Sequence, residues 1–175
     1  MHLIVGLGNP GKEYTHTRHN VGFLCIEHFV TALEAPQLTL HKKSNSLVSA
    51  QTHNGIKYIL AEPLTFMNNS GEAVSALLQF YKLTPADLLV IHDDLDIEIG
   101  SWKIQQGRGP KVHNGLISIE NSLKTSDFKR LRIGVDGREP DTKMSGGDYV
   151  LAQFTKDELA ELQTRIFRSL ESELF

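Results

Sequence analysis

Short apolar runs that break into glycine, asparagine or histidine, each followed by residues at helical spacing, recur along this chain and restrict it to an alternation of strands and helices. The first run, His2-Leu3-Ile4-Val5, stops in Gly6-Leu7-Gly8-Asn9-Pro10-Gly11. That spacing is formally G-x-G-x-x-G after a strand and invites a dinucleotide-binding reading, which also needs a helix whose apolar face opens directly after the last glycine. Lys12 through Arg18 are nearly all polar, and helical apolar spacing starts only at Val21, continuing through Leu24, Cys25, His28, Phe29 and Ala32. The segment therefore reads as strand, long loop and helix, and the glycines argue only weakly for a nucleotide cofactor. What the loop does offer is His19, flanked by Arg18 and Asn20 and placed next to a helix start.

At 175 residues the chain suits one domain, 1–175, large enough to hold a core without staples. With 40% hydrophobic residues, a net charge of −3 and no long uninterrupted apolar stretch, it reads as a globular protein that neither crosses a membrane nor stays disordered. The first strand begins at once, leaving no room for a signal peptide, and the single Cys25 lies on an apolar helix face, so a reducing cytoplasm is expected. The charges segregate. From Ser101 to Arg138 there are eight basic residues against three acidic, a local balance of +5 that leaves −8 for the remainder. A basic face on an acidic body suits a protein that touches phosphates in one place, although mixed charges with no common face would give the same count.

Ser46 to His53 and Ile56 to Glu62 read as strands joined by Asn54-Gly55, a pair suited to a two-residue hairpin turn. Pro63 stops the second, and the amide-rich loop Leu64 to Gly71 precedes a helix with Ala73, Val74, Leu77, Leu78 and Tyr81 on one face. Leu88 to Ile91 reads as a short strand covered on both faces that ends in His92-Asp93-Asp94-Leu95-Asp96. Trp102 to Gln106 reads as a strand, Gly107 to Val112 as a flexible basic loop, and His113-Asn114-Gly115 opens a helix through Leu116, Ile119, Glu120 and Leu123. Arg130 to Val135 alternates polar and apolar, a half-covered strand with its arginines on one face. Asp136 to Gly147 is expected to be a mobile loop, and Thr155-Lys156-Asp157-Glu158 has the form of a capping box before the last helix. The expected fold is an α/β sandwich: a mixed, mostly parallel twisted sheet with helices on both faces and one antiparallel hairpin.

Four polar clusters share the order strand, loop, helix start: Asn9 to His19, Met67 to Asn69, His92 to Asp96, and His113-Asn114. They are candidates for one cleft. A neutral imidazole is a competent base near neutral pH, and a carboxylate on its Nδ1–H fixes the tautomer and stabilises the imidazolium, so His19 and Asp93 can form such a pair. Asparagines neither ionise nor compete as bases, and several converging suggest a peptide-like ligand. Asp93, Asp94 and Asp96 can alternatively gather Mg²⁺ or form a solvated loop, and His92 and His113 can be ordinary packing or capping residues. No G-x-S-x-G elbow is present, and Cys25 lies in a helical core pattern, so water is the expected attacking group.

The motifs Val5-Gly6-Leu7-Gly8-Asn9-Pro10-Gly11, Tyr14 with Thr17-Arg18-His19-Asn20-Val21-Gly22, Pro63-Leu64-Thr65-Phe66-Met67-Asn68, His92 to Asp96, His113-Asn114-Gly115-Leu116 and Leu131-Arg132-Ile133-Gly134 occur in this order. In them the chain strongly resembles the bacterial peptidyl-tRNA hydrolase family. The resemblance implies hydrolysis of the ester joining a peptide to the 3′ end of tRNA, with no cofactor and no metal. It further implies His19 as catalytic base, Asp93 as the group that holds it, and Asn9 as the amide that distinguishes a blocked peptidyl nitrogen from a free amine. Asn68 and Asn114 would bind the substrate end, Tyr14 and Phe66 would line it, and Lys103 and Arg132 would contact tRNA phosphates. A monomer acting on peptidyl-tRNA, without a protein partner or membrane, is implied. The chain departs from the family's glycine-rich approach to His-Asn-Gly with Gly109-Pro110-Lys111-Val112, which is stiffer and more basic, and it carries Gln105 where a second lysine is frequent. It also ends early, at Phe175. These departures make a non-catalytic tRNA-binding module the competing expectation, and a Mg²⁺-dependent phosphohydrolase on the three aspartates a third.

Overall fold

The computed structural model describes residues 1–110, 112–139 and 141–175. Lys111, counted above in the basic loop, and Pro140 lie outside the described residues. Among the described residues, seven strands form one sheet: β1 (His2–Gly6), β2 (Thr39–His41), β3 (Ser46–His53), β4 (Ile56–Pro63), β5 (Leu88–Glu98), β6 (Trp102–Gln106) and β7 (Lys129–Asp136). Their order is β2-β3-β4-β1-β5-β7-β6. The central run β4-β1-β5-β7 is parallel, while β3 and β6 run against their neighbours. In the β3–β4 hairpin His53 pairs with Ile56, and Asn54 (φ 49°) and Gly55 (φ 77°) both adopt the positive φ that a two-residue turn of this hand requires. The short strand β2 adds an antiparallel pairing to β3 that three residues of unremarkable composition do not announce.

Helices cover both faces, as expected. Helix α1 (Val21–Ala32) packs its buried Cys25, Ile26 and Phe29 over Ile4, Leu60 and Ile91, joined by Leu162, Ile166 and Leu170 from the C-terminal helices. On the opposite face α2 (Ser70–Tyr81) and α3 (Asn114–Leu123) lay Val74, Leu77, Leu116 and Ile119 on Leu3, Val5 and Val90. Each such fully buried side chain contributes about 1.5–3 kcal/mol of transfer free energy. The remaining helices are α4 (Gly146–Leu151) and α5 (Lys156–Glu161), the latter continuing through one π turn (Leu162–Ile166) into α6 (Phe167–Leu174). The expected box at α5 is formed, with Glu158 N–H donating to Thr155 Oγ1 and Thr155 N–H to Glu158 Oε2.

Three local readings change. The strand beginning at Leu88 does not end at Ile91 but runs to Glu98, because β7 continues the ladder past it, pairing His92 with Arg132 and Asp93 with Ile133. Polar residues therefore extend the strand where their side chains find partners across it. The loop from Asp136 ends in a helix: Ser145 caps α4 by accepting from Asp148 N–H, and the Tyr149 hydroxyl accepts from Gly137 N–H. The glycine pattern after β1 serves packing. A side chain on Gly6 would meet the Gly22 carbonyl oxygen, and one on Gly8 would sit 2.8 Å from the Phe23 ring, so these glycines let the strand end abut the first turn of α1.

From β1 the chain crosses one face to reach β4, and from β4 it crosses the other to reach β5. The carboxyl ends of β1 and β5 thus flank a reversal of strand order, where such sheets open a crevice.

Candidate active site

The crevice is a cavity of about 640 Å³ lined by polar side chains from four connections: Asn9 and His19 after β1, Asn68 after β4, Asp93 on β5, and His113 and Asn114 at the start of α3. All four clusters singled out in the sequence meet here. Phe66 lines it with its ring half exposed, while the opposing wall is Leu95 together with Val150 and Leu151 of α4. Tyr14 sits on the loop beyond Gly11, its carbonyl accepting from the Thr17 hydroxyl, and is not among the lining residues.

His19 Nδ1 lies 2.8 Å from Asp93 Oδ1, and His113 Nε2 lies 2.9 Å from the same oxygen. The tautomers follow from the partners. His113 is the N-cap of α3 and its Nδ1 accepts from Leu116 N–H, so its Nε2 carries the proton and donates to Asp93. His19 likewise donates Nδ1–H to the carboxylate, which leaves its Nε2 lone pair without a partner among the described residues, on a ring that lines the cavity. Asp93 is 2% exposed; burial opposes its ionisation, but the His19 and His113 rings, by charge and hydrogen bond, hold the carboxyl well below the usual range. His92, fully buried beside it, points to the other face and donates Nδ1–H to the Asp93 carbonyl; burial, helped by His113, lowers its pKa to about 3 and keeps it neutral. His92 is thus a packing residue, while His113 is both the cap the sequence allowed and a second donor to Asp93, a role that only the folded chain reveals.

Asn9 is oriented from two sides. Its Oδ1 accepts from Met67 N–H at 2.8 Å, and the Asn20 side chain bonds both its N–H and its carbonyl at 2.9 Å. With Oδ1 committed, the amide can offer only Nδ2 as a free donor to the cavity. Asn20, 2% exposed, is a positioning residue for Asn9, signalled in the sequence only by adjacency to His19. Asn68 and Asn114 are exposed at the rim. Phe66 holds φ 58°, ψ 159°, a region nearly reserved for glycine, and this backbone turns the following Met67 N–H toward Asn9.

The three aspartates do not gather. Asp93 faces His19, whereas Asp94, its neighbour on the strand, points to the opposite face and is 1% exposed. Its Oδ2 accepts from Arg132 Nε at 2.6 Å and its Oδ1 from Asp96 N–H. Asp94 is therefore neither solvated nor a partner of Asp93 in a Mg²⁺ site. Arg132 gives a second donor to Gln105 Oε1, so the residue standing where relatives frequently have lysine here steers an arginine. Lys103, exposed on β6, is in register with Arg132 on the same face, outside the cavity.

Arg18, adjacent to His19, is 6% exposed and forks onto both Glu158 oxygens at 2.9 Å, reaches the Gln153 carbonyl at 2.7 Å, and lies 4.3 Å above the Tyr149 ring. It clamps α4, the apolar wall of the cavity, to the loop that carries the base. Arg18→Ala is expected to lower the unfolding free energy by about 3 kcal/mol, the scale for removing one partner of a largely buried pair. A denaturant midpoint within error of the parent would show that the clamp contributes nothing to stability.

A family model described as peptidyl-tRNA hydrolase matches residues 3–173. The chain is 45% identical over 170 residues to the peptidyl-tRNA hydrolase of Alkaliphilus metalliredigens, covering 97% of this chain and 89% of the relative. It is 46% identical over 160 residues to that of Lawsonia intracellularis, covering 91% and 79%. Among solved structures, peptidyl-tRNA hydrolase from Acinetobacter baumannii superimposes with a TM-score of 0.87 at 34% identity, covering 98% of this chain and 85% of that one. The chain belongs to the peptidyl-tRNA hydrolase family.

Proposed function

We propose that this chain hydrolyses the ester between the peptide and the 3′-terminal ribose of peptidyl-tRNA, releasing free tRNA and peptide. The observation that carries the reading is the 2.8 Å contact of His19 Nδ1 with the buried carboxylate of Asp93, which frees Nε2 as a base in the cavity. Nε2 takes a proton from water while the water oxygen attacks the ester carbonyl carbon. The tetrahedral species collapses with cleavage of the acyl–oxygen bond, and the imidazolium returns the proton to the departing ribose oxygen. Asp93 stabilises the imidazolium. Asn9 Nδ2 donates to the carbonyl that blocks the peptidyl nitrogen; a free ammonium has no acceptor to offer there. Asn68 and Asn114 bind the substrate end with Phe66 beside it, and Lys103 with the free edge of Arg132 meets backbone phosphates.

The reaction needs no metal in this reading. The nitrogens and oxygen of His19, Asp93 and His113 lie within 4.8 Å of one another, near enough to hold an ion. Both nitrogens, however, sit at hydrogen-bond distance from one oxygen, with the His113 tautomer fixed from its far side, which is a proton-sharing arrangement. The protein works as a cytoplasmic monomer, residues 1–175 acting as one domain. A non-catalytic tRNA-binding module is not favoured, because base, carboxylate and oriented amide donor surround one cavity. The test is an assay with N-acetylaminoacyl-tRNA and its unblocked counterpart, in the presence of EDTA. Cleavage of the blocked ester alone, unchanged by chelator, is expected; loss of activity in EDTA would return the three-residue cluster to a metal, and binding without cleavage would favour the module.

A further inference from the structure

The Asn9–Gly11 loop has a second cavity, of about 340 Å³, on its other side, walled by Phe23 and Leu24 of α1 and by Leu47 and Leu64 of the hairpin arm. Two carboxyl groups line it. Glu62, on the α1 face of β4, is 3% exposed, and its Oε1 is buried without a hydrogen-bond partner. Glu27 of α1 is exposed at the outer side of the same cavity. Lys12 also lines it but forms no ion pair with either among the described residues. A buried carboxyl group that lines a cavity and leaves one oxygen unpaired points to a missing partner. A divalent ion held by one or two carboxylates keeps several waters that need polar surroundings, whereas the walls here are largely hydrocarbon. An ammonium group on an aliphatic stem matches both the acids and the walls.

We propose that this cavity binds a small aliphatic amine, its ammonium group held by Glu62 and Glu27 and its methylene chain lying on Phe23, Leu24, Leu47 and Leu64. The charges that face Glu62 are Glu27 from α1 and Lys12 from the loop, with His16 acting on Glu27. Burial first, then Glu27, pushes the Glu62 carboxyl up to about 8, so at neutral pH it carries a proton that the amine must displace. Binding therefore releases a proton, and affinity rises with pH until Glu62 is ionised.

The experiment is calorimetric titration of the whole chain with n-butylamine in two buffers of different protonation enthalpy. Saturable binding is expected, with a proton passed to the buffer at pH 7 and affinity climbing toward about tenfold per pH unit below pH 8. Glu62→Gln should weaken binding by about tenfold or more, and Glu27→Gln, at an exposed position that leaves the core intact, by severalfold. Absence of saturable heat at millimolar amine, binding untouched by either variant, or displacement of n-butylamine by equimolar magnesium chloride would each overturn the proposal. The readout is binding rather than turnover, so its failure is distinguishable from a failure of the hydrolase reading.

Discussion

His19→Ala is expected to reduce turnover of peptidyl-tRNA by about 10²–10⁴-fold, the contribution of a positioned general base. The ring is a replaceable part of the structure. Among the described residues the ring bonds to Asp93 alone, and Asp93 keeps His113 as a donor when His19 is removed, so the variant should fold and melt close to the parent. Substrate binding should change far less than turnover, because the asparagines and the basic edge remain. Circular dichroism and single-turnover kinetics on the same preparation decide the matter: a folded His19→Ala protein that still cleaves at the parental rate would remove the imidazole from the chemistry.

Asp93→Asn should be comparably severe, with turnover falling by up to about 10⁴-fold, and it separates charge from shape. An asparagine oxygen can still accept from both imidazoles, so the arrangement of the rings survives, but the anion that makes proton transfer to His19 favourable is gone. The defect should be largest near neutral pH. A parental pH–rate profile in Asp93→Asn would break the proposed pairing. Asp93→Ala is the contrasting variant, since it leaves two buried N–H groups unanswered and should destabilise the protein as well, by about 1–3 kcal/mol for each group.

Much of the architecture was legible because it rests on local periodicity. The strand at Ile56, the turn at Asn54-Gly55 and the late start of α1 at Val21 all follow from spacing and side-chain type. The meeting of His19 with Asp93 was legible for a related reason: polar residues that repeatedly follow strands are brought to the same edge of the sheet. What eluded the sequence depends on partners far along the chain. Asp94 reads as a solvated acid until Arg132, 38 residues later, arrives beside it on the neighbouring strand. Glu158 reads as half of a capping box, and nothing near it indicates that Arg18, 140 residues earlier, claims both its oxygens. β5 overran its expected end because the ladder to β7, not the polarity of His92 and Asp93, fixes where it stops.

The single oxygen of Asp93 to which His19 and His113 both point sets the charge history of the site. With both rings uncharged the trio is a lone buried anion; once His19 takes up a proton the trio as a whole becomes neutral. Reaction therefore moves the negative charge from the trio onto the tetrahedral oxygen of the substrate, and at no stage does a low-dielectric enclosure have to hold a naked cation.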